Sequence, residues 1–107
     1  MDTQIKSRTY LYEFPNYDDV LPDLPEGWED NSWHNDVCPS MDYDLGEERI
    51  LRVWMDYKNP EFREIGGTRY AVAIGEYGSL EVLLETDSFQ EAMDYINTNN
   101  LTKESNK

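Results

Sequence analysis

Apolar residues recur along this chain with two periods, and most of that order lies between Arg49 and Asn97. From Ile50 to Tyr57 the chain alternates. Leu51, Val53, Met55 and Tyr57 fall on one side and Ile50, Arg52, Trp54 and Asp56 on the other, the period of a half-buried strand. Arg69–Ile74 repeats the pattern with Tyr70, Val72 and Ile74. Gly75-Glu76-Tyr77-Gly78-Ser79 reads as a turn, because its two glycines tolerate positive φ. Leu80–Glu85 follows, with Leu80, Val82 and Leu84 predicted inward and Glu81 and Glu85 outward, so the two runs form an antiparallel hairpin. Ser88 and Glu91 fit a capping box, with Asp87 an equal candidate for the N-cap. Phe89, Ala92, Met93 and Ile96 then stand at i, i+3, i+4 and i+7, one stripe of a short helix that Asn97–Asn100 ends.

The remaining stretches are less regular. Thr9–Phe14 sets aromatic residues at alternate positions and reads as a fourth strand, stopped by Pro15 and Asn16. Asp18–Glu26 carries two prolines and reads as a tethered loop anchored by Val20, Leu21 and Leu24. Gly27–Met41 holds Trp28, Trp33 and Cys38, and Asp42–Glu48 reads as an acidic connector. Lys58–Gly67 is a long linker in which Phe62 is expected to pin the loop, with Gly66-Gly67 as a turn. The predicted fold is therefore α+β: a three- or four-stranded antiparallel sheet with one C-terminal helix on one face and a long irregular acidic segment on the other. At 107 residues the chain is expected to form a single domain, frayed at residues 1–8 and 101–107.

Charge changes this picture. The net charge is −14, and residues 9–48 contain 12 of the 23 acids but neither Lys nor Arg. Such a chain is not expected to bind nucleic acid through phosphates or to sit on an anionic membrane, both of which need clustered cations. Eight Tyr, three Trp and three Phe are too many for a solvating disordered tail. The single cysteine precludes an internal disulfide and fits a reducing compartment. With no long apolar run and no signal-peptide pattern, a cytoplasmic location without a cofactor is expected.

Like charges packed this densely either splay into solvent or face something basic. The first is a solvated face that confers solubility. The second is a recognition surface for a basic protein, such as a nucleic-acid-binding host protein. Its contacts would be Asp18, Asp19, Asp23, Glu26, Glu29, Asp30, Asp36, Asp42, Asp44, Glu47 and Glu48, with Tyr17 and Trp33 as apolar anchors.

A different chemistry is offered by Trp33-His34-Asn35-Asp36-Val37-Cys38-Pro39. If extended, it projects His34, Asp36 and Cys38 to one side. All three are zinc ligand types, and Cys38 with His34 is a nucleophile–base pair in kind. No second His or Cys exists to complete a metal set, and the competing reading is a packed turn with Cys38 buried. Asp42-Tyr43-Asp44-Leu45-Gly46 lacks the ligand spacing of a calcium loop, and Gly66-Gly67 lacks the Lys-Ser/Thr of a phosphate loop.

Leu24-Pro25-Glu26-Gly27-Trp28, the run Ser32–Ser40, and Trp54-Met55-Asp56-Tyr57 ahead of Arg63-Glu64 together resemble small uncharacterised acidic proteins of phages and other mobile elements. The resemblance spans residues 24–74 and brings no activity or site residue with it. It implies a small accessory protein that binds a host factor. Separately, and by composition alone with no shared motif, the acidity is similar in kind to that of phage nucleic-acid mimics that act as inhibitors. The sequence thus leads to a non-enzymatic acidic binding protein. Its competitors are a small metal or thiol enzyme centred on His34, Asp36 and Cys38, and an assembly subunit that pairs through an exposed edge at Thr9–Phe14.

Overall fold

Alternation decides the sheet. A computed structural model describes residues 10–20, 24–32, 38–63, 67–76 and 78–102. They contain a short helix α1 (Tyr10–Glu13), strands β1 (Trp28–Asp30), β2 (Ser40–Gly46), β3 (Arg49–Met55), β4 (Tyr70–Glu76) and β5 (Ser79–Thr86), a 3₁₀ turn at Pro60–Phe62 between β3 and β4, and helix α2 (Phe89–Thr98). The strands form one antiparallel sheet of five in chain order, β1-β2-β3-β4-β5. The class is α+β, with one or two more strands than the pattern predicts.

The extra strands come from the stretch read as irregular. Met41, Tyr43 and Leu45 alternate with Ser40, Asp42 and Asp44, and the first three face the core while Asp44 is exposed. The acids obscure a strand whose inward positions are as apolar as those of β3. β2 pairs with β3 from Ser40↔Trp54 to Gly46↔Arg49, and β1 adds Trp28↔Tyr43 at the edge. β1 and β2 of the acidic half therefore widen the sheet. Gly27 is required at the start of β1: it has φ 92°, and a Cβ there would lie 2.7 Å from the Tyr43 ring.

α1 replaces the strand expected at Thr9–Phe14. Tyr10 and Phe14 are separated by one helical turn, the Phe14 N–H bonds the Tyr10 carbonyl at 3.0 Å, and both side chains are buried. A spacing of four serves either period, and here the helical one wins. The Tyr10 N–H donates to Asp30 Oδ2 at 3.0 Å, so a carboxylate twenty residues away closes the helix start. Among the described residues the edges of the sheet are consequently β1 and β5, and the expected edge is helical over Tyr10–Glu13.

One core lies on one face of the sheet. Met41, Leu45, Leu51, Val53, Met55, Tyr70 and Val72 project into it, joined by Tyr10, Trp28, Ala92 and Ile96. α2 packs over β4 and β5 with the predicted stripe: Ala92 and Ile96 are fully buried, and Phe89 and Met93 pack beside them. Ser88 Oγ accepts the Glu91 N–H at 3.1 Å, as a capping box requires. The reciprocal half is relayed, since the Ser88 N–H donates to Thr86 Oγ1 and that hydroxyl donates to the Glu91 carboxylate.

β5 departs from simple alternation. Val72 pairs with Leu84 but Ala73 pairs with Val82, so Leu83 is an extra, bulged residue. Leu84 therefore faces α2, whereas Leu80 and Val82 share the opposite face with Ala73 and Gly75. Val82 is 48% exposed, not inward as its spacing from Leu84 suggests.

The β2–β3 hairpin turns on Glu47 and Glu48, both at positive φ (57° and 69°). A two-residue turn with both φ positive is type I′, which Asn-Gly fits and Glu-Glu does not. Replacing Glu47 by Asn and Glu48 by Gly should raise stability by about 1 kcal/mol in denaturant unfolding, by relieving an unfavoured backbone conformation.

Candidate functional site

The twelve acids of residues 9–48 divide by what their carboxylates hold. Asp23, Asp36, Trp33 and His34 lie outside the described residues. Asp42 and Arg52 stand directly opposite on β2 and β3, on the face away from α2. Arg52 Nε and Nη2 donate to Asp42 Oδ1 and Oδ2 at 2.7 and 2.9 Å, a bidentate pair with side chains only 14% and 9% exposed. Asn31 Nδ2 adds a 2.6 Å bond to Asp42 Oδ2. The guanidinium carbon also lies 4.9 Å from the Trp54 ring centroid, a cation–π contact on the same face. Asp42 is thus buried and engaged within the chain. Asp30 is likewise occupied, by the N–H groups of Tyr10 and Ser32.

Tyr17, Asp18 and Asp19 fasten the first segment to the far end of the sheet. The Tyr17 hydroxyl donates towards the carbonyls of Met55 and Asp56, at 3.0 and 2.9 Å. Arg69 Nη2 donates to that hydroxyl at 3.1 Å and to Asp19 Oδ2 at 2.9 Å, while its Nε bonds the Asp56 carbonyl. Asp18 accepts the N–H groups of Lys58 and Asn59, each at 2.8 Å. Burial pushes the Tyr17 phenol far above its ordinary value and Arg69 only partly offsets this, so Tyr17 stays neutral and a donor. Burial also opposes the charges of Asp18 and Asp19. The two backbone donors at Asp18, and Arg69 with the Val20 N–H at Asp19, outweigh it and hold both carboxyls below the usual range.

The linker that follows is braced in the same way. Arg63 donates to the carbonyls of Tyr57, Lys58 and Gly67, and Asn59 caps the 3₁₀ turn through the Glu61 N–H. Phe62 does not pin this loop: it is 55% exposed and makes an edge contact with Tyr57 at 6.0 Å. Val20, predicted as an anchor, is 76% exposed, whereas Leu24 packs against the core.

Five acids remain exposed at the opposite end of the sheet and along its β1 edge: Glu26, Glu29, Asp44, Glu47 and Glu48. Glu26 leads into Trp28, which pairs with Tyr43 beside Asp44. Asp44 bonds the Gly46 N–H at 2.8 Å and so shapes the turn that presents Glu47 and Glu48. Register brings Arg49 and Glu76 to the same end, as a directly opposed pair. Glu76 is an exposed acid of this end that the sequence did not single out, because its place depends on the pairing of β4. The two ends are about 20 Å apart along seven-residue strands.

Cys38 is fully buried. Among the described residues no group of three His, Cys, Asp or Glu side chains is placed to hold a metal ion, and no helix is long and apolar enough to cross a membrane. No protein-family model matches this chain, and no curated protein or solved structure matches it.

Two outcomes are expected. Asp42→Leu alone should cost about 3–5 kcal/mol in urea unfolding, because it strands a buried guanidinium, and Arg52→Met in the same chain should recover most of the loss. Asp18 and Asp19 have folded pKa values below the unfolded value of about 3.9. Their contribution is complete above that value and disappears as pH falls through the folded values. The protection of amides in residues 57–63, relative to their intrinsic exchange at the same pH, should therefore fall below about pH 4 in the wild type, and Asp18→Asn should already lack it at neutral pH.

Proposed function

We propose that this is a non-enzymatic acidic binding protein that engages a basic surface of a partner protein. The observation that carries the reading is the grouping of Glu26, Glu29, Asp44, Glu47 and Glu48, all exposed, at the β2–β3 hairpin end and adjoining β1 edge. Asp18, Asp19, Asp30, Asp42 and Tyr17 hold the fold together and are left out of the contact set. The hairpin tip is a two-residue turn tied by Asp44, so the backbone that carries Glu47 and Glu48 has little freedom left to lose.

Duplex mimicry asks for long rows of carboxylates, one charge per ~1.7 Å of axis. Five acids at one end of a small sheet fit a compact basic patch better than the track of a duplex. Such a patch on a nucleic-acid-binding host protein is the partner class we favour.

The test is capture from a host lysate at low salt. Bound protein should elute by about 0.5 M salt, where exposed charges are screened within a few ångströms. A chain carrying Glu29→Gln, Asp44→Asn, Glu47→Gln and Glu48→Gln should capture at least about tenfold less. Capture indifferent to salt, or undiminished in that variant, would overturn the reading.

A further inference from the structure

The geometry points to a second interaction surface: we propose that the outer edge of β5 takes an extended, basic segment of a partner protein as a sixth strand. This goes beyond the acidic end and does not depend on it. Among the described residues β5 has one neighbouring strand, β4, on one side. It is eight residues long, against three for the opposite edge β1. Ser79-Leu80-Glu81-Val82-Leu83-Leu84-Glu85-Thr86 contains no Lys, Arg or Pro, the residues that most often blunt such an edge.

The bulge at Leu83 partly blunts this edge and decides what an added strand would meet. It places Leu80 and Val82 on the face away from α2 and Leu84 on the face towards it, so an added strand finds apolar neighbours on both sides. It also parts the two acids, Glu85 opposite Ala71 on the outer face and Glu81 opposite Ile74 on the α2 face. Both are exposed, and they carry the charge of this edge: Asp87 is met by Arg63 at 3.4 Å, and Glu76 stands opposite Arg49. The bulge shortens the uninterrupted run to Ser79–Val82, so side-chain charge must supply much of the affinity.

Those charges choose the occupant. A second copy pairing on this edge would bring together two chains of net charge −14. A strand with Lys or Arg at alternate positions meets Glu81 or Glu85 with an opposite charge, while its main chain completes the ladder.

The probe is a capped synthetic peptide of alternating Lys and Val, about eight residues long, titrated into the full chain and followed by amide NMR. The expected result is saturable shifts confined to residues 79–86. Val82→Lys, at an exposed position, should weaken binding by at least about tenfold, and so should methylating alternate peptide nitrogens. Glu47→Gln with Glu48→Gln should leave it unchanged, which separates this surface from the acidic end. No shifts in β5, shifts centred on Glu47 and Glu48, or equal binding of the N-methylated peptide would overturn the proposal. So would concentration-dependent β5 shifts without peptide together with a dimer on sizing, which would give the edge to a second copy.

Discussion

The structure depends on carboxylates finding donors far along the chain. Residues 9–48 bring twelve acids and no cation, and a segment of that composition repels itself. Its described residues are held in place because several of those acids are matched elsewhere. Asp42 is opposed by Arg52 across a strand pair, Asp19 by Arg69 fifty residues away, and Asp18 by two backbone N–H groups of the β3–β4 linker. The two arginines balance a charge each, the backbone donors stabilise a third, and every match fixes a position in space. The hydrophobic core explains why there is a sheet. These pairs explain why the acidic half belongs to it.

The helix, β3 and β4 were legible in the sequence because their periods are clean and their caps are local. Ser88, Glu91, Ala92 and Ile96 do in the structure what their spacing implies. β2 was hidden by its own outward positions: Asp42 and Asp44 made the stretch read as a connector, though Met41, Tyr43 and Leu45 carried the period. The bulge at Leu83 left no local signal, since it is a property of the pairing with β4. α1 was ambiguous in principle, because Tyr10 and Phe14 satisfy both a strand and a helical turn.

The candidate site was legible only as a density of charge. Sequence could show that the acids were crowded and not which of them were occupied. Asp42 and Asp44 are two residues apart on one face of β2, yet one is sealed against Arg52 and the other is exposed. The difference lies in β3, which supplies an arginine opposite the first and Ile50 opposite the second. The Trp33–Asp36 segment lies outside the described residues, and Cys38 beside it is fully buried.

Strand order that equals chain order has a kinetic consequence. The β2–β3 and β4–β5 pairings each close a two-residue connection, so these hairpins can form first at small entropic cost, while β1–β2 and β3–β4 close longer ones. The bonds from Tyr17, Asp18 and Asp19 instead span 38 to 52 residues and end on groups positioned by β3 and β4. They have nothing to hold until those strands are paired. The N-terminal segment is therefore the last part to dock, and the first to let go when the molecule begins to unfold.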